Sequence, residues 1–316
     1  MFLRLVPDNT QFDFLGKRFI CFGASVLTLI AVVVALMTHG LNYGIDFAGG
    51  TLVQARLEKT IPVSDLRQGL TEGGWSGLVI QQYGAPDEVM IRIPGIADDS
   101  SKLEAMGDRM AKALTPIAGK VEIRRVEYVG PQIGNELKKK ALMAILLSAV
   151  AILAYVGLRF EFRFAMGALV ALLHDVLITI GLFSVLDKEI TLPVLAAVLT
   201  IIGYSLNDTI VVFDRVRENM RKYKKKPMVE TLNISVNEML NRTLMMSLTT
   251  LVVLVALFYF GGEVIHDFAF ALLIGVVVGT YSSTYVAAPI ALWLERFAAK
   301  PVEDPAEKTT RKHKHA

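Results

Sequence analysis

The chain has 316 residues, 53% of them hydrophobic, with 33 lysines and arginines against 30 aspartates and glutamates, a net charge of +3 and a mean hydropathy of +0.48. The apolar share exceeds the roughly 45–50% of a soluble domain, and the even charge balance gives no reason to expect a nucleic-acid partner. The single cysteine, Cys21, excludes a disulfide framework within the chain.

Residues 1–38 hold a short N-terminus and the first apolar run, Phe19–Thr38, preceded by Lys17 and Arg18. That run exceeds the about 7–15 residues of a signal-peptide core and no clear cleavage site follows, so it reads as an uncleaved anchor. Further runs follow at Ala141–Leu158, Phe164–Leu186, Ile190–Phe213, Thr243–Phe260 and Phe268–Leu294. A helix needs about 20 mostly apolar residues to cross a bilayer, so the pattern predicts six transmembrane helices rather than a soluble bundle. Arg159, Arg163, the cluster Arg215–Lys226 and a basic tail at 295–316 alternate with the acidic Asp187, Glu189, Glu263 and Asp267. By the positive-inside rule both termini are expected in the cytoplasm. Lys138–Lys140 runs against that rule, but it ends a loop of about a hundred residues, and long loops translocate largely regardless of charge.

Residues 39–140 change character. Thr51–Leu57 alternates like a strand, and Val63–Leu70 reads as a short helix that Ser64 would cap. Leu78–Tyr83 and Glu88–Ile93 read as strands joined by Gly84-Ala-Pro-Asp87, Asp99–Leu114 as a helix with Leu103, Met106, Met110 and Leu114 on one face, and Val121–Val126 as a strand. The order β-α-β-β-α-β predicts a ferredoxin-like α+β domain. Nothing in it has the pattern of a metal site, a cofactor cradle or a catalytic pair, so no enzyme is expected. Two glycine-rich pieces flank it: Asn42-Tyr-Gly-Ile-Asp-Phe-Ala-Gly-Gly50 and Val129-Gly-Pro-Gln-Ile-Gly-Asn-Glu-Leu137. They read either as flexible linkers or as hinges using Gly44, Gly49, Gly50, Gly130 and Gly134.

The remaining spans, in residues 141–294, carry columns of small residues four apart: Gly167, Ala171, Asp175 and Thr179 in the third, and Ala271, Gly275, Gly279, Ser283 and Ala287 in the sixth. Such columns predict close helix approach, within the chain or with a partner. The fourth span carries Ala196, Thr200, Tyr204 and Asp208 in one column, with Asn207 adjacent, and the third carries His174 beside Asp175. The fifth begins with Arg242, followed by a polar face of Thr243, Ser247 and Thr250. Ionisable residues inside a membrane mark ion or proton paths by default. Asp208 also fits a structural ion pair, Arg242 an interfacial charge, and His174-Asp175 a satisfied buried pair.

Five pieces together resemble the SecD/SecF family of bacterial protein export, on its SecF side: Gly44-Ile-Asp-Phe-Ala-Gly-Gly50, Val129–Leu137, Leu173-His-Asp-Val176, Ile202–Arg215 and Leu240–Thr250. They occur in the family's order and cover nearly the whole chain. The resemblance implies six spans forming half of a resistance-nodulation-division fold, completed by a SecD-like subunit, in the bacterial inner membrane. It implies a complex beside the SecYEG channel, with or without other accessory subunits, that uses the proton gradient to assist late translocation of a preprotein. It carries a proton-pathway role over to Asp208 and Arg242, with a further aspartate in the partner; Asn207, His174, Asp175, Tyr204 and Thr200 read as either relay or structural polar residues. Rival readings are a half-unit exporting small molecules or lipids and a purely structural translocon subunit.

Overall fold

A computed structural model describes Pro7, residues 10–94 and residues 100–298. The basic tail beyond Ala298 and the expected helix start at Asp99 lie outside the described residues.

Helix α1 (Arg18–Thr38) leads into a two-residue strand β1 (Asn42–Tyr43) and a single turn α2 (Ile45–Ala48). The α/β unit then runs β2 (Gly50–Leu57), α3 (Val63–Glu72), β3 (Val79–Gln82), β4 (Glu88–Ile93), α4 (Ser100–Ala118) and β5 (Val121–Val129). The sheet order is β3-β4-β2-β5 with every neighbouring pair antiparallel, the ferredoxin-like arrangement. Strand alternation turns Val53, Ala55 and Leu57 of β2 and Val89, Ile91 and Ile93 of β4 to one face, where Leu66 and Leu70 of α3 and Met106, Met110 and Leu114 of α4 cover them. Ser64 does not cap α3: Pro62 holds the capping position, and the Ser64 hydroxyl donates to Asp65 Oδ1 at 2.9 Å. With Val63 already helical, Ser64 falls inside the first turn and cannot reach back.

Helix α5 (Pro131–Arg159) begins well before its apolar run. Pro131 takes the first helical position, where its missing N–H is not needed, so most of the second glycine-rich piece is helix rather than linker. Then come α6 (Phe162–Val185), a two-residue strand β6 (Glu189–Ile190), α7 (Leu192–Lys222), α8 (Met228–Phe260) and α9 (Glu263–Ser282). A π-helical turn at Ser283–Ala287 joins α9 to α10 (Ala288–Ala298). The basic stretch 214–242 is a helical hairpin, since α7 and α8 run through it and leave only a short turn. Asn219 Nδ2 clasps the hairpin, donating to Ser235 Oγ at 3.0 Å and Glu238 Oε2 at 2.6 Å.

Six helical stretches among the described residues are long and apolar enough to cross a membrane. Helices α6, α7 and α9 form the centre, while α1 and α5 leave most of their apolar surface uncovered. The small-residue columns serve contacts within the chain. A Cβ on Gly279 would lie 3.2 Å from Ser205, and one on Gly167 would lie 2.7 Å from the Ala287 carbonyl oxygen, so α9 sits directly against α7 and the π turn against α6.

The two glycine-rich pieces meet in one packed joint. Gly49 and Gly50 take φ of 72° and 115°, the region L side chains avoid. A Cβ on Gly49 would lie 3.1 Å from Pro131 Cα, one on Gly134 would lie 3.0 Å from the Phe47 carbonyl oxygen, and one on Gly44 would lie 2.9 Å from Thr191 Cγ2. Gly130 is different: its φ is −63° and a Cβ there would meet only the Tyr128 hydroxyl, at 3.8 Å, an ordinary contact. Gly50→Ala combines strained backbone with a Cβ 2.7 Å from the Ile93 carbonyl oxygen. It is expected to destabilise the α/β unit by at least about 1–2 kcal/mol, read as faster limited proteolysis of residues 39–140, with Gly130→Ala close to wild type.

Candidate functional site

The centre of the bundle holds two buried aspartates in opposite states of satisfaction. Asp175 of α6 is fully buried. Its Oδ1 lies 2.9 Å from His174 Nδ1, and its Oδ2 accepts from Ser205 Oγ of α7 at 2.5 Å and Ser282 Oγ of α9 at 2.7 Å. His174 is also buried; its ring stacks on Tyr281 at 6.3 Å, and its Nε2 has no hydrogen-bond partner. Tyr281 in turn donates to the Cys21 carbonyl at 2.8 Å and receives Ser25 Oγ at 3.1 Å, tying α1 to the same cluster.

Asp208 of α7 is 6% exposed. Its Oδ1 accepts from Thr243 Oγ1 of α8 at 2.6 Å, while its Oδ2 is buried without a hydrogen-bond partner. Ser283, first residue of the π turn, faces the same carboxylate without completing a bond to Oδ2. Ser247 and Thr280 hydroxyls meet at 2.6 Å across α8 and α9, so hydroxyls line the seam between these helices. π-helical turns often sit at functional positions because the extra residue re-aims side chains. Here the turn directly follows Ser282, which bonds Asp175, and opens with Ser283, which faces Asp208.

The other expected residues divide between the two faces of α7. Tyr204 is half-buried with its hydroxyl unpartnered. Asn207 and Thr200 lie on the open face with Gly203, the Thr200 hydroxyl bonding back to the Ala196 carbonyl at 2.8 Å. Adjacent helical residues point about 100° apart, so Asn207 and Asp208 do not share one site. Arg242 of α8 is exposed, and its charge acts on Asp208 through space without a salt bridge. Sequence reasoning missed Ser205 and Ser282 and read Ser283 only as a small packing residue; for the two on the sixth span the signal was the hydroxyl-rich run Thr280-Tyr-Ser-Ser-Thr284 inside an apolar span. Among the described residues no cluster of three or more His, Cys, Asp or Glu is placed to hold a metal ion.

A helical membrane protein with one ferredoxin-like extramembrane domain and two separately bonded buried aspartates in its core is the class this fold defines. The family described as "Protein export membrane protein SecD/SecF, C-terminal" matches residues 109–297, and the "SecD/SecF GG Motif" matches residues 34–61. The chain is 50% identical to protein translocase subunit SecF of Magnetococcus marinus, over 95% of this chain and 97% of that one. It is 46% identical to the SecF of Vibrio alginolyticus over 93% of each. The crystal structure of SecDF from Thermus thermophilus, a translocon-associated membrane protein, superposes with a TM-score of 0.84 at 37% identity; a SecDF in a super-membrane-facing form gives 0.68 at 38%. The chain is covered to 92% and 96% in these superpositions but spans only 40% of the length of either SecDF chain. The chain belongs to the SecD/SecF protein-export family, as a SecF-type translocase subunit with a resistance-nodulation-division-like fold.

The two aspartates are expected to respond differently to substitution. Asp175→Ala leaves buried hydroxyls on α7 and α9 and the His174 ring without their acceptor. Thermal unfolding in detergent is expected to show a loss of about 2 kcal/mol. Asp208→Asn keeps the volume and an acceptor for Thr243, and is expected to unfold within about 0.5 kcal/mol of wild type.

Proposed function

We propose that this chain works in the bacterial inner membrane with a SecD-like partner, both termini in the cytoplasm and residues 39–140 on the far side. In this reading the pair draws on the proton gradient to assist a preprotein late in its passage through a SecYEG channel, with other accessory membrane subunits optional. The observation that carries the reading is Asp208, a buried carboxylate with one oxygen bonded to Thr243 and the other unpartnered. Buried polar groups are ordinarily satisfied, and a carboxylate inside a membrane span is a functional residue by default. An unpartnered oxygen is a place for a proton to arrive.

Protonation of Asp208 would convert the Thr243 contact from a charge-assisted hydrogen bond to a weaker neutral one. The grip between α7 and α8 would loosen, and deprotonation would restore it. Arg242, whose charge reaches Asp208 through space, would help discharge the proton. Asn207, Thr200 and Gly203, on the open face of α7, would meet the partner subunit, where small residues permit close approach. The resulting helix motion would swing the α/β domain about the glycine joint.

In inverted vesicles containing the partner and the channel, Asp208→Asn is expected to abolish the gradient-dependent part of translocation while leaving the ATP-driven part and complex assembly intact. Full retention of gradient dependence would overturn the relay and favour a structural subunit. Arg242→Ala is expected to reduce the gradient-dependent rate, with Arg242→Lys retaining most of it, because the contribution is one of charge at a distance.

A further inference from the structure

The first turn of α7 lacks a cap of its own. Thr191 precedes it in extended conformation and makes no side-chain capping bond. Instead Asp46 Oδ2, from the one-turn α2, accepts the Leu192 N–H at 2.8 Å. A carboxylate there satisfies one of the orphan N–H groups of a helix start and complements its dipole. Asp46 lies between β1 and the Gly49-Gly50 pair that opens the α/β domain, so a residue of the domain's entry segment caps the helix that carries Asp208.

The surrounding contacts converge on the same short turn, residues 187–192. Strand β1 pairs in parallel with β6, Asn42 opposite Glu189 and Tyr43 opposite Ile190, and Gly44 N–H donates to the Ile190 carbonyl at 2.9 Å. From within the domain, Gln81 of β3 donates to the Asp187 carbonyl at 3.3 Å, and Arg92 of β4 donates to the Tyr43 carbonyl. Glu189, 9% exposed, sits between domain and bundle. Arg92 faces it from β4, Asp46 from α2, Asp187 from the turn and Asp267 from α9. Asp267 holds Lys188 at 2.6 Å and lies 3.2 Å from His266 Nδ1, so Lys188 is not free to neutralise Glu189. A cleft of about 790 Å³ beside this turn is lined by residues of both the sheet and the bundle, so water reaches the joint's edge between the two bodies.

We propose that Asp46 and Glu189 form a coupling joint: Asp46 positions the first turn of α7 according to the placement of the α/β domain, and Glu189 makes that placement sensitive to acidity on the domain's side of the membrane. Burial pushes the Glu189 carboxyl up from its ordinary value of 4.5; Arg92 opposes this and the three aspartates add to it. The docked joint therefore holds the Glu189 proton more tightly than a parted joint, where the side chain meets water. Docking is fully favoured below the ordinary glutamate value and weakens as pH rises through the raised one. The consequence for translocation rests on the relay reading of Asp208; the joint itself does not.

The test uses the full chain with its partner in proteoliposomes. Spin labels on cysteines replacing Lys59 of the domain loop and Tyr259 of α8, in a Cys21→Ser background, report the domain-to-bundle distance without a gradient or a channel. Wild type is expected to lengthen between about pH 5 and about pH 8, with Glu189→Gln docked throughout. Asp46→Ala is expected to shift the docked population by roughly fivefold, as for the loss of a helix N-cap, and, in separate vesicles that also hold the channel and a gradient, to lower gradient-driven translocation in step. Asp46→Asn, which keeps an acceptor for Leu192, should restore most of both. A wild-type distance that does not change with pH, or that changes equally in Glu189→Gln, overturns the acid sensitivity. Wild-type distances in Asp46→Ala overturn the positioning role. Should Asp46→Ala fail to fold, the comparison moves to Asp46→Asn against Asp46→Ser, and equal distances in both overturn it. Because the distance readout is independent of Asp208→Asn, failure of the joint and failure of the relay are separate results.

Discussion

Asp175 Oδ2 accepts hydrogen bonds from Ser205 of α7 and Ser282 of α9, and these two bonds pin the three central helices to one another. In hydrocarbon there is no water to satisfy a stray carboxylate, so a buried aspartate has to be held by protein or not be there. Apolar contact alone does little to order helices whose alternative neighbour is lipid. The specificity of the bundle therefore comes from close approach and from this hub. The small residues of α6 and α9 permit the approach, and Asp175 fixes the register.

With the register fixed, Asp208 falls where it does as a matter of helix geometry. Ser205 and Asp208 are three apart on α7 and share a flank, so the bond that anchors Ser205 to Asp175 also turns Asp208 inward, towards Thr243 and the π turn. Both oxygens of Asp175 are bonded, and one oxygen of the neighbouring carboxylate is not. A buried carboxylate with both oxygens bonded rigidifies its surroundings, whereas an unpaired buried oxygen is costly to keep. The two sites meet on α7 and on the Ser282-Ser283 step at the end of α9, so the first supplies a fixed frame for the second.

Much of this was legible in the residues. Six apolar runs marked the spans, period-2 and period-3.6 alternation in residues 51–126 marked the sheet and its two helices, and the small-residue columns marked the seams that Gly167 and Gly279 now occupy. Less was legible where one element's end depends on another element. Gly134 looked like part of a linker because glycine favours loops, yet Pro131 starts the helix before it. Asn207 and Asp208 looked like one site because sequence adjacency hides the helical turn that separates them. The pairing of Asp208 with Thr243 rather than Arg242 depends on the rotation of α8, which periodicity constrains only to a face. Ser283 was legible only as a small residue of its column and Ser282 not at all, since a hydroxyl in a span is commonly satisfied by its own backbone, as at Thr280.

Helix α7 is the element on which these observations meet. Its 31 residues make an unbroken rod of about 46 Å. At one end Asp46 bonds its first N–H, in the middle it carries Ser205 and Asp208, and at the other Asn219 clasps the hairpin to α8. Its one proline, Pro193, stands in the first turn, where it does not interrupt the hydrogen-bond ladder, and Gly203 lies on the open face without kinking it. A rod of this kind cannot absorb a displacement locally. A tilt imposed at the domain joint has to reappear at the carboxylate or at the hairpin, and Asp175 resists rotation about the axis between them. The bonds that fix the centre of the bundle therefore sit on the same helix that the domain's entry segment holds through Asp46.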